Sequence, residues 1–195
     1  MEFLDLIRRR RMIRRFDRRP VQREVLERIL DVGRRGPSAG FSQGVDLLVL
    51  RTPEELEHFW STTEPYRTEP RSDGPPVIVL PIANKSAYFA RYSQPDKEGL
   101  GMDREEGWPV PYWDIDAAMA AMLVLLAAVD EGLGGWLFGI FVGEEQLLSD
   151  LGVPSGCRPI GAIALGYPAR DEKPAGSALS VRRRPLGDVV HWGRW

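Results

Sequence analysis

Residues 119–129 read Met119-Ala120-Ala121-Met122-Leu123-Val124-Leu125-Leu126-Ala127-Ala128-Val129. Alanine, leucine and methionine favour helices, and Gly132 shortly afterwards ends one. The wider segment 114–131 is therefore predicted to be a helix, with Asp114 or Asp116 as its N-cap. Its middle is apolar on nearly every face, which indicates a helix buried all round, in the core or at a large subunit interface.

Strands and further helices are predicted on both sides of this helix. Apolar runs predict buried strands at residues 45–50, 77–82, 132–141 and 160–166. Helical periodicity predicts helices near residues 3–7, 21–32, 53–61, 85–92 and 143–151, with Thr52 as an N-cap. Because the crossovers vary in length and some strand pairs can be antiparallel, we predict an α+β fold with a central mixed sheet flanked by helices.

Three connections and the tail have no strong periodicity. Residues 36–44 form a loop of small residues, which is either an ordinary connection or a place where a ligand approaches the backbone. The long polar connections at 62–76 and 94–111 are candidates for the substrate side of a site. Residues 167–195 are polar and lack a repeating apolar face, and a partner subunit would give this tail a surface to lie on.

Composition limits the class of protein. The chain has 195 residues, 43% of them hydrophobic, which suits one domain, 1–195. A single cysteine and two distant histidines exclude a disulfide within the chain and argue against a metal site. The start is too charged for a secretory signal, and the apolar run 117–129 is too short to span a bilayer. We expect a cytoplasmic protein that does not enter the membrane.

Positive charge is concentrated at the start of the chain. Among the first twenty residues, arginine occupies positions 8, 9, 10, 11, 14, 15, 18 and 19. Arg10 and Arg14 share one side of either a helix or a strand, and like charges placed so repel unless an anion lies between them. Arginine binds phosphate bidentately, so the cluster is a candidate phosphate site. The alternatives are a solvated basic surface or a nucleic-acid tail, although the net charge of −2 argues against a general nucleic-acid binder.

Common catalytic motifs are absent from the sequence. There is no Gly-x-Gly-x-x-Gly after a strand, no Walker loop and no histidine paired with a nucleophile. The arginine cluster, the small-residue loop, the glycines of 132–141 and the basic group Arg182-Arg183-Arg184 suit a flat, phosphorylated cofactor. Such a cofactor carries its own chemistry, and the protein supplies binding and orientation.

Five blocks in order carry a family resemblance: Arg10-Arg11-Met12-Ile13-Arg14-Arg15-Phe16, Pro37-Ser38-Ala39-Gly40-Phe41-Ser42-Gln43, Gly132-Leu133-Gly134, Ala162-Ile163-Ala164-Leu165-Gly166-Tyr167-Pro168, and Arg183-Arg184-Pro185-Leu186 with Val189-Val190-His191-Trp192-Gly193-Arg194-Trp195. Nearly end to end, the chain resembles the FMN-dependent nitroreductase superfamily. The resemblance implies an intertwined homodimer with two FMN sites at its interface and a C-terminal arm, about 168–195, that wraps the partner.

The resemblance also implies which residues bind FMN. Arg10, Arg11, Arg14 and Arg183 would contact its phosphate and the pyrimidine edge of its ring. A loop from the other subunit would line the flavin with Pro37, Ser38, Ala39 and Gln43. The backbone at Phe138, Gly139 and Ile140 would face the reactive nitrogen of the ring.

The chain departs from the family pattern at four places. Met12 replaces a serine, Phe41 an asparagine, Gly44-Val45 a Pro-Trp pair and Val181 a lysine. Met12 removes a hydroxyl donor, and Phe41 could stack on the flavin or close the substrate face. Both positions remain predicted flavin neighbours.

The resemblance implies a function as well. The chain would pass hydride from NAD(P)H through FMN to a small nitroaromatic, quinone or enone-like substrate by a ping-pong mechanism. One alternative is a flavin-sequestering protein of the same fold with a closed site. The other is the nucleic-acid-binding tail.

Overall fold

The structure is a computed structural model that describes residues 2–64, 74–174 and 176–195. The six helices are α1 Phe3–Arg9, α2 Arg23–Gly33, α3 Pro53–Thr63, α4 Lys85–Tyr92, α5 Tyr112–Asp130 and α6 Glu144–Asp150. The five strands are β1 Val45–Leu50, β2 Val77–Asn84, β3 Gly134–Phe138, β4 Cys157–Pro159 and β5 Ala162–Gly166. Most of the predicted loop 62–76, namely residues 65–73, lies outside the described residues.

The strands form one sheet in the order β1-β2-β5-β3, and β4 pairs with the end of β2. The predicted α+β fold is confirmed, but the predicted mixture of strand directions is not. Each of these strand pairs is antiparallel, and within the described ranges parallel pairing is confined to a single bridge between Met12 and Gly135. Strand direction depends on where each connection returns the chain, and hydrophobic periodicity does not encode this.

Helix α5 covers one face of the sheet together with α2. The residues that it buries include Ala121, Val124, Leu125 and Ala128, which pack with β2, β5 and α2. Burial within one chain is incomplete, because Ile115 and Met122 remain 40% and 47% exposed, so burial on every side stays a prediction that requires a subunit interface. By length and composition alone α5 could cross a membrane, yet half of it lies buried inside the protein, as in an ordinary core helix.

The other face of the sheet packs against α3 and α6. Phe59, Trp60 and Leu147 are buried there with Ile78 and Leu80 of β2. Helix α3 begins as predicted at Thr52, whose hydroxyl accepts from the N–H of Glu55 while the Glu55 carboxylate accepts from the N–H of Thr52. This capping box holds the pKa of Glu55 below its usual value, chiefly through the backbone N–H donors of Arg51 and Thr52.

Two further predicted boundaries are corrected by the structure. Helix α5 starts at Tyr112, with Pro111 in the N-cap position, so neither Asp114 nor Asp116 caps it. Asp116 is instead buried, at 2% exposed, and its carboxylate accepts hydrogen bonds from the Ala39 N–H and the Tyr88 hydroxyl. Strand β3 ends at Phe138 rather than at residue 141, where Phe141 already lies in solvent.

Candidate functional site

The arginine block, residues 10–16, is extended and runs beside β3. The N–H of Ile13 donates to the carbonyl of Gly135 at 3.0 Å, and the N–H of Asp17 donates to that of Tyr167 at 2.8 Å. A side chain at Gly134 would collide with Ile13, and one at Gly135 with Leu125 of α5. These two glycines therefore allow Ile13 and Leu125 to pack closely against β3, whereas the sequence pattern indicated that the glycines of 132–141 contact a flat cofactor.

Met12 and Ile13 face opposite sides of the sheet, as expected for neighbours in an extended chain. Met12 packs against the core under α5, and Ile13 lies in the core under α3 and α6. The thioether at position 12 is thus a packing group.

Three arginines of the block have acidic partners in the tail: Arg11 and Arg15 through their side chains, and Arg14 through its backbone N–H. Glu172 lies 3.7 Å from the Arg11 guanidinium and accepts from the N–H of Arg14 at 3.2 Å. Its side chain is only 4% exposed. Arg15 pairs with Asp171 at 2.7 Å. The anion that the clustered arginines require is therefore supplied, at least in part, by the tail.

Arg10 is different. One terminal nitrogen of its guanidinium, Nη1, is buried and has no hydrogen-bond partner among the residues that the structure describes. A buried guanidinium donor that lacks an acceptor is costly and unusual. The position therefore fits an acceptor contributed from outside the chain, such as a phosphate oxygen of a cofactor.

Arg14 lies over an aromatic row at the edge of β3. Its guanidinium carbon is 5.6 Å from the ring centre of Trp136. Trp136 stacks on Phe138 at 4.4 Å, and Phe138 stacks on Trp60 at 5.7 Å. The Phe138 side chain is thus part of the packing between β3 and α3, which leaves its backbone, with exposed Gly139 and half-buried Ile140 after it, for any ligand.

The second predicted element, the loop 36–44, has an unusual backbone. Gly40, Phe41 and Gln43 all have positive φ angles, of 60°, 55° and 52°. This region suits glycine, whereas phenylalanine and glutamine adopt it at a cost of about 1 kcal/mol or more each. The Phe41 side chain is 74% exposed, so the residues that the structure describes leave most of the ring uncovered. Such strained conformations persist where the surroundings hold them, often at ligand sites.

A buried carboxylate holds this loop. Asp116 Oδ2 accepts from the Ala39 N–H at 2.9 Å and from the Tyr88 hydroxyl at 2.7 Å. Burial and the Asp116 carboxylate raise the pKa of Tyr88 well above its usual value, so the hydroxyl remains a donor. Within the loop, the N–H of Gln43 donates to Ser38 Oγ at 3.0 Å.

The two predicted groups lie at opposite edges of the sheet. The loop containing Pro37, Ser38, Ala39, Phe41 and Gln43 directly precedes β1, whereas the block containing Arg10, Arg11, Met12 and Arg14 borders β3. With β2 and β5 between these two strands, the separation is about 14 Å at the usual strand spacing. Arg183 and Val181 lie in the exposed tail. Within one chain, the arginine block therefore lies beside β3, but the loop 36–44 lies far from both.

Sequence reasoning missed Asp116 and Glu172 as structural partners of the site. For Asp116 a signal existed: its spacing from Trp113, Ala117 and Ala120 places it on the most buried side of α5. A charge at such a position needs buried donors. Glu172 had no such signal, because its partners are about 160 residues away in sequence.

Comparisons with known proteins identify the family of the chain. The model of the nitroreductase family matches residues 7–167. A protein of Archaeoglobus fulgidus, whose name combines NADH dehydrogenase and NAD(P)H nitroreductase, is 30% identical over 100% of this chain and 99% of its own. An NADH dehydrogenase of Thermus thermophilus is 27% identical over 94% of this chain and 92% of its own.

Solved structures share the fold. A nitroreductase family protein of Clostridium difficile superposes with a TM-score of 0.73, at 22% identity, over all of both chains. One from Streptococcus pneumoniae gives 0.71 at 18% identity, over 98% of this chain and 100% of its own. Since the family match spans most of the sequence, this chain belongs to the nitroreductase family.

Proposed function

We propose that this protein is an FMN-dependent oxidoreductase that passes hydride from NAD(P)H to a small oxidised substrate, such as a nitroaromatic, a quinone or an enone. Family membership supports a flavin-type oxidoreductase, and the relatives' names supply the nicotinamide donor. The observation that carries the proposal is the buried, unpartnered Nη1 of Arg10 within an arginine block. When bound, FMN supplies the redox chemistry by taking up hydride from one ligand and releasing it to the next.

The residues of the chain would bind and orient rather than react. Arg10 would donate to the FMN phosphate, assisted by Arg14 and Arg183, while Glu172 keeps Arg11 partly neutralised. The backbone N–H groups of Gly139 and Ile140 would donate to the ring. A ping-pong reaction of this kind requires no side-chain acid or base.

We further propose a homodimer in which each site uses both chains. The separation of the loop 36–44 from the arginine block supports this, because a second copy can bring its loop to the block. The exposed apolar side of α5, with Ile115 and Met122, offers a surface for that copy. The arm, about 168–195, would lie across the partner, since it exposes Leu179, Val181, Leu186, Val189, Trp192 and Trp195.

The two other functions have less support. A sequestering protein would need a flavin that neither nicotinamide donor reduces, whereas the relatives' names, NADH dehydrogenase and NAD(P)H nitroreductase, favour turnover. A nucleic-acid tail would need free arginines, but Arg8, Arg11 and Arg15 each lie beside a carboxylate.

Purified protein tests the function directly. We expect it to bind FMN. The visible flavin absorbance should bleach under anaerobic NADH or NADPH and return on addition of a quinone. Protein that takes up no FMN contradicts the proposal. Bound FMN that neither donor reduces would favour the sequestering function.

Sedimentation equilibrium tests the dimer. Met122→Glu should convert dimers to monomers and lose FMN, because it places charge in the apolar surface of α5. Val110→Glu is the matched control, since Val110 is similarly exposed but lies in the connection before α5. A wild-type monomer, or a dimeric Met122→Glu variant, would contradict the proposed interface.

A further inference from the structure

Helix α4 lies between the loop 36–44 and the connection 94–111, and one side chain joins them. The Arg91 guanidinium donates from Nε to the carbonyl of Gly40 at 2.9 Å. It also donates from Nη1 and Nη2 to the two carboxylate oxygens of Asp96, at 2.8 and 2.6 Å. A single rigid, planar group is therefore bonded to both loops.

The next residue on α4 contacts the same two segments through its ring. A side chain at Gly40 would lie 2.7 Å from the Tyr92 ring, so the loop backbone passes directly over it. On the other side, the Tyr92 ring centre is 4.6 Å from that of Trp108. Trp108 is buried and donates from Nε1 to the carbonyl of Met102 at 2.8 Å, which anchors the second half of the connection.

The guanidinium geometry makes the two bonds of Arg91 interdependent. Its five N–H donors have fixed directions, so the fork that faces Asp96 determines where Nε points. The pairing also holds the pKa of Asp96 below its usual value through the hydrogen bond from Arg91, so the carboxylate stays charged. If the Asp96 carboxylate moves out of contact with Arg91, the guanidinium can rotate. The Gly40 carbonyl then loses a well-aligned donor.

The Gly40 carbonyl lies where the loop is strained. Gly40 and Phe41 adopt positive φ angles in succession, and such conformations revert when their restraints are removed. The Asp116 contact restrains the loop at Ala39, and the Arg91 contact restrains it at Gly40. The position of Phe41 therefore depends on a residue that is itself held by the connection 94–111.

We infer that Arg91 is a positioning residue that couples the connection 94–111 to the loop 36–44. A substrate that displaces Asp96 would thereby change the loop that forms one wall of the flavin site. The effect of a substrate on the flavin site rests on the proposed function, whereas the coupling between the two loops does not.

Hydrogen exchange without any ligand tests the coupling. Asp96→Asn removes the charged fork and leaves the loop 36–44 unaltered in sequence. We expect exchange to rise at least threefold at the N–H groups of Phe41, Ser42 and Gln43, which are hydrogen-bonded within the loop, as well as near position 96. Arg91→Lys should do the same, because an ammonium group cannot reproduce the three-point geometry.

Glu105→Gln is the matched control. It breaks the Lys85–Glu105 ion pair of 2.8 Å, which also holds the connection 94–111 to α4 but does not involve Arg91. We expect faster exchange around position 105 and none in the loop. A rise confined to residues near 96 in Asp96→Asn, or an equal rise in the loop in Glu105→Gln, would overturn the coupling.

FMN release provides the second measurement. With coupling present, Asp96→Asn should release FMN about threefold faster than wild type, and Glu105→Gln should not. An unchanged release rate in Asp96→Asn contradicts the role of Arg91 at the flavin site. Wild-type protein that never binds FMN contradicts the proposed function alone, and the exchange data then decide the coupling by themselves.

Discussion

The loop 36–44 and the arginine block are both predicted to contact the cofactor, yet the protein holds them by different means. At Ala39 the loop is fixed by buried groups, because Asp116 and Tyr88 are 2% and 0% exposed. The block is held by backbone hydrogen bonds to Gly135 and Tyr167 and by two carboxylates of the tail, the buried Glu172 and the exposed Asp171. A buried hydrogen bond is costly to remove, whereas an exposed ion pair contributes little. The loop is therefore held firmly at Ala39 and more weakly at Gly40, where its donor Arg91 is itself held by the exposed Asp96, while part of the charge of the block is paired only at the surface.

The largest effect should follow from breaking the buried contact. Asp116→Ala leaves the Ala39 N–H and the Tyr88 hydroxyl buried without their acceptor, which should cost about 3 kcal/mol in the free energy of unfolding. Urea unfolding measures this cost. Asp116→Asn should recover most of it, since an amide oxygen can still accept. Asp114→Ala, in the same turn of α5, is the control and should cost under about 1 kcal/mol. Equal losses of unfolding free energy in Asp116→Ala and Asp114→Ala would show that the buried contact of Asp116 does not hold the loop more firmly than an ordinary residue of α5 would.

FMN binding should separate Arg10 from its neighbour. Arg10→Ala should weaken FMN binding by roughly tenfold to a hundredfold, because it removes charged hydrogen bonds to the phosphate. Arg11→Ala should weaken it less than about threefold, since Glu172 already engages that side chain. Quenching of flavin fluorescence measures both. Riboflavin, which has no phosphate, should bind the two variants alike, and a loss of riboflavin binding in Arg10→Ala would argue against a phosphate contact.

Alkaline pH should weaken the loop contact through Tyr88. Its pKa is raised in the folded protein by burial and by Asp116, so this contribution to stability is present below about pH 10, the usual pKa, and falls as pH rises above it. The slope attributable to Tyr88 is at most about 1.4 kcal/mol per pH unit. It is measured as the difference in unfolding free energy between wild type and Tyr88→Phe from pH 9 to 11. If the unfolding free energies of wild type and Tyr88→Phe change in parallel with pH, the Tyr88 hydroxyl is not held by Asp116 in the folded protein.

A smaller effect should follow from neutralising Glu172. Glu172→Gln keeps an acceptor for the Arg14 N–H but removes a negative charge beside Arg11. FMN should therefore bind about two- to fivefold more tightly at low salt, and the gain should shrink as salt screens the site. Weaker FMN binding would instead show that Glu172 is needed to position the block.

The smallest effect is expected at the exposed pair. Asp171→Asn should change the unfolding free energy by less than about 0.5 kcal/mol, because both side chains of the Arg15–Asp171 pair are about half exposed or more. Thermal unfolding at two salt concentrations measures it. A loss comparable to that of Asp116→Ala would mean that the block is as rigid as the loop.

Much of this arrangement could be predicted from the sequence, and the failures have identifiable causes. The family, the α+β class and most of the helices and strands were predicted correctly, because periodicity and capping residues such as Thr52 are local signals. Asp116 was predicted as a helix cap because an acid near a helix start usually is one. Its true partners, Tyr88 and Ala39, come from two other segments. The FMN contacts of Arg10, of the loop and of Arg183 remain predictions.

The sequence by itself determined where most of the helices and strands lie and to which family the chain belongs, and it indicated that the clustered arginines repel one another unless an anion lies between them. Only the tertiary structure decided which anion each arginine has within the chain. Glu172 reaches Arg11 and the backbone of Arg14 from the far end of the sequence, and one buried donor of Arg10 has no partner among the residues that the structure describes. The physical reason is that helix and strand patterns arise from neighbours along the chain, whereas burial and pairing of charges depend on residues that only folding brings together.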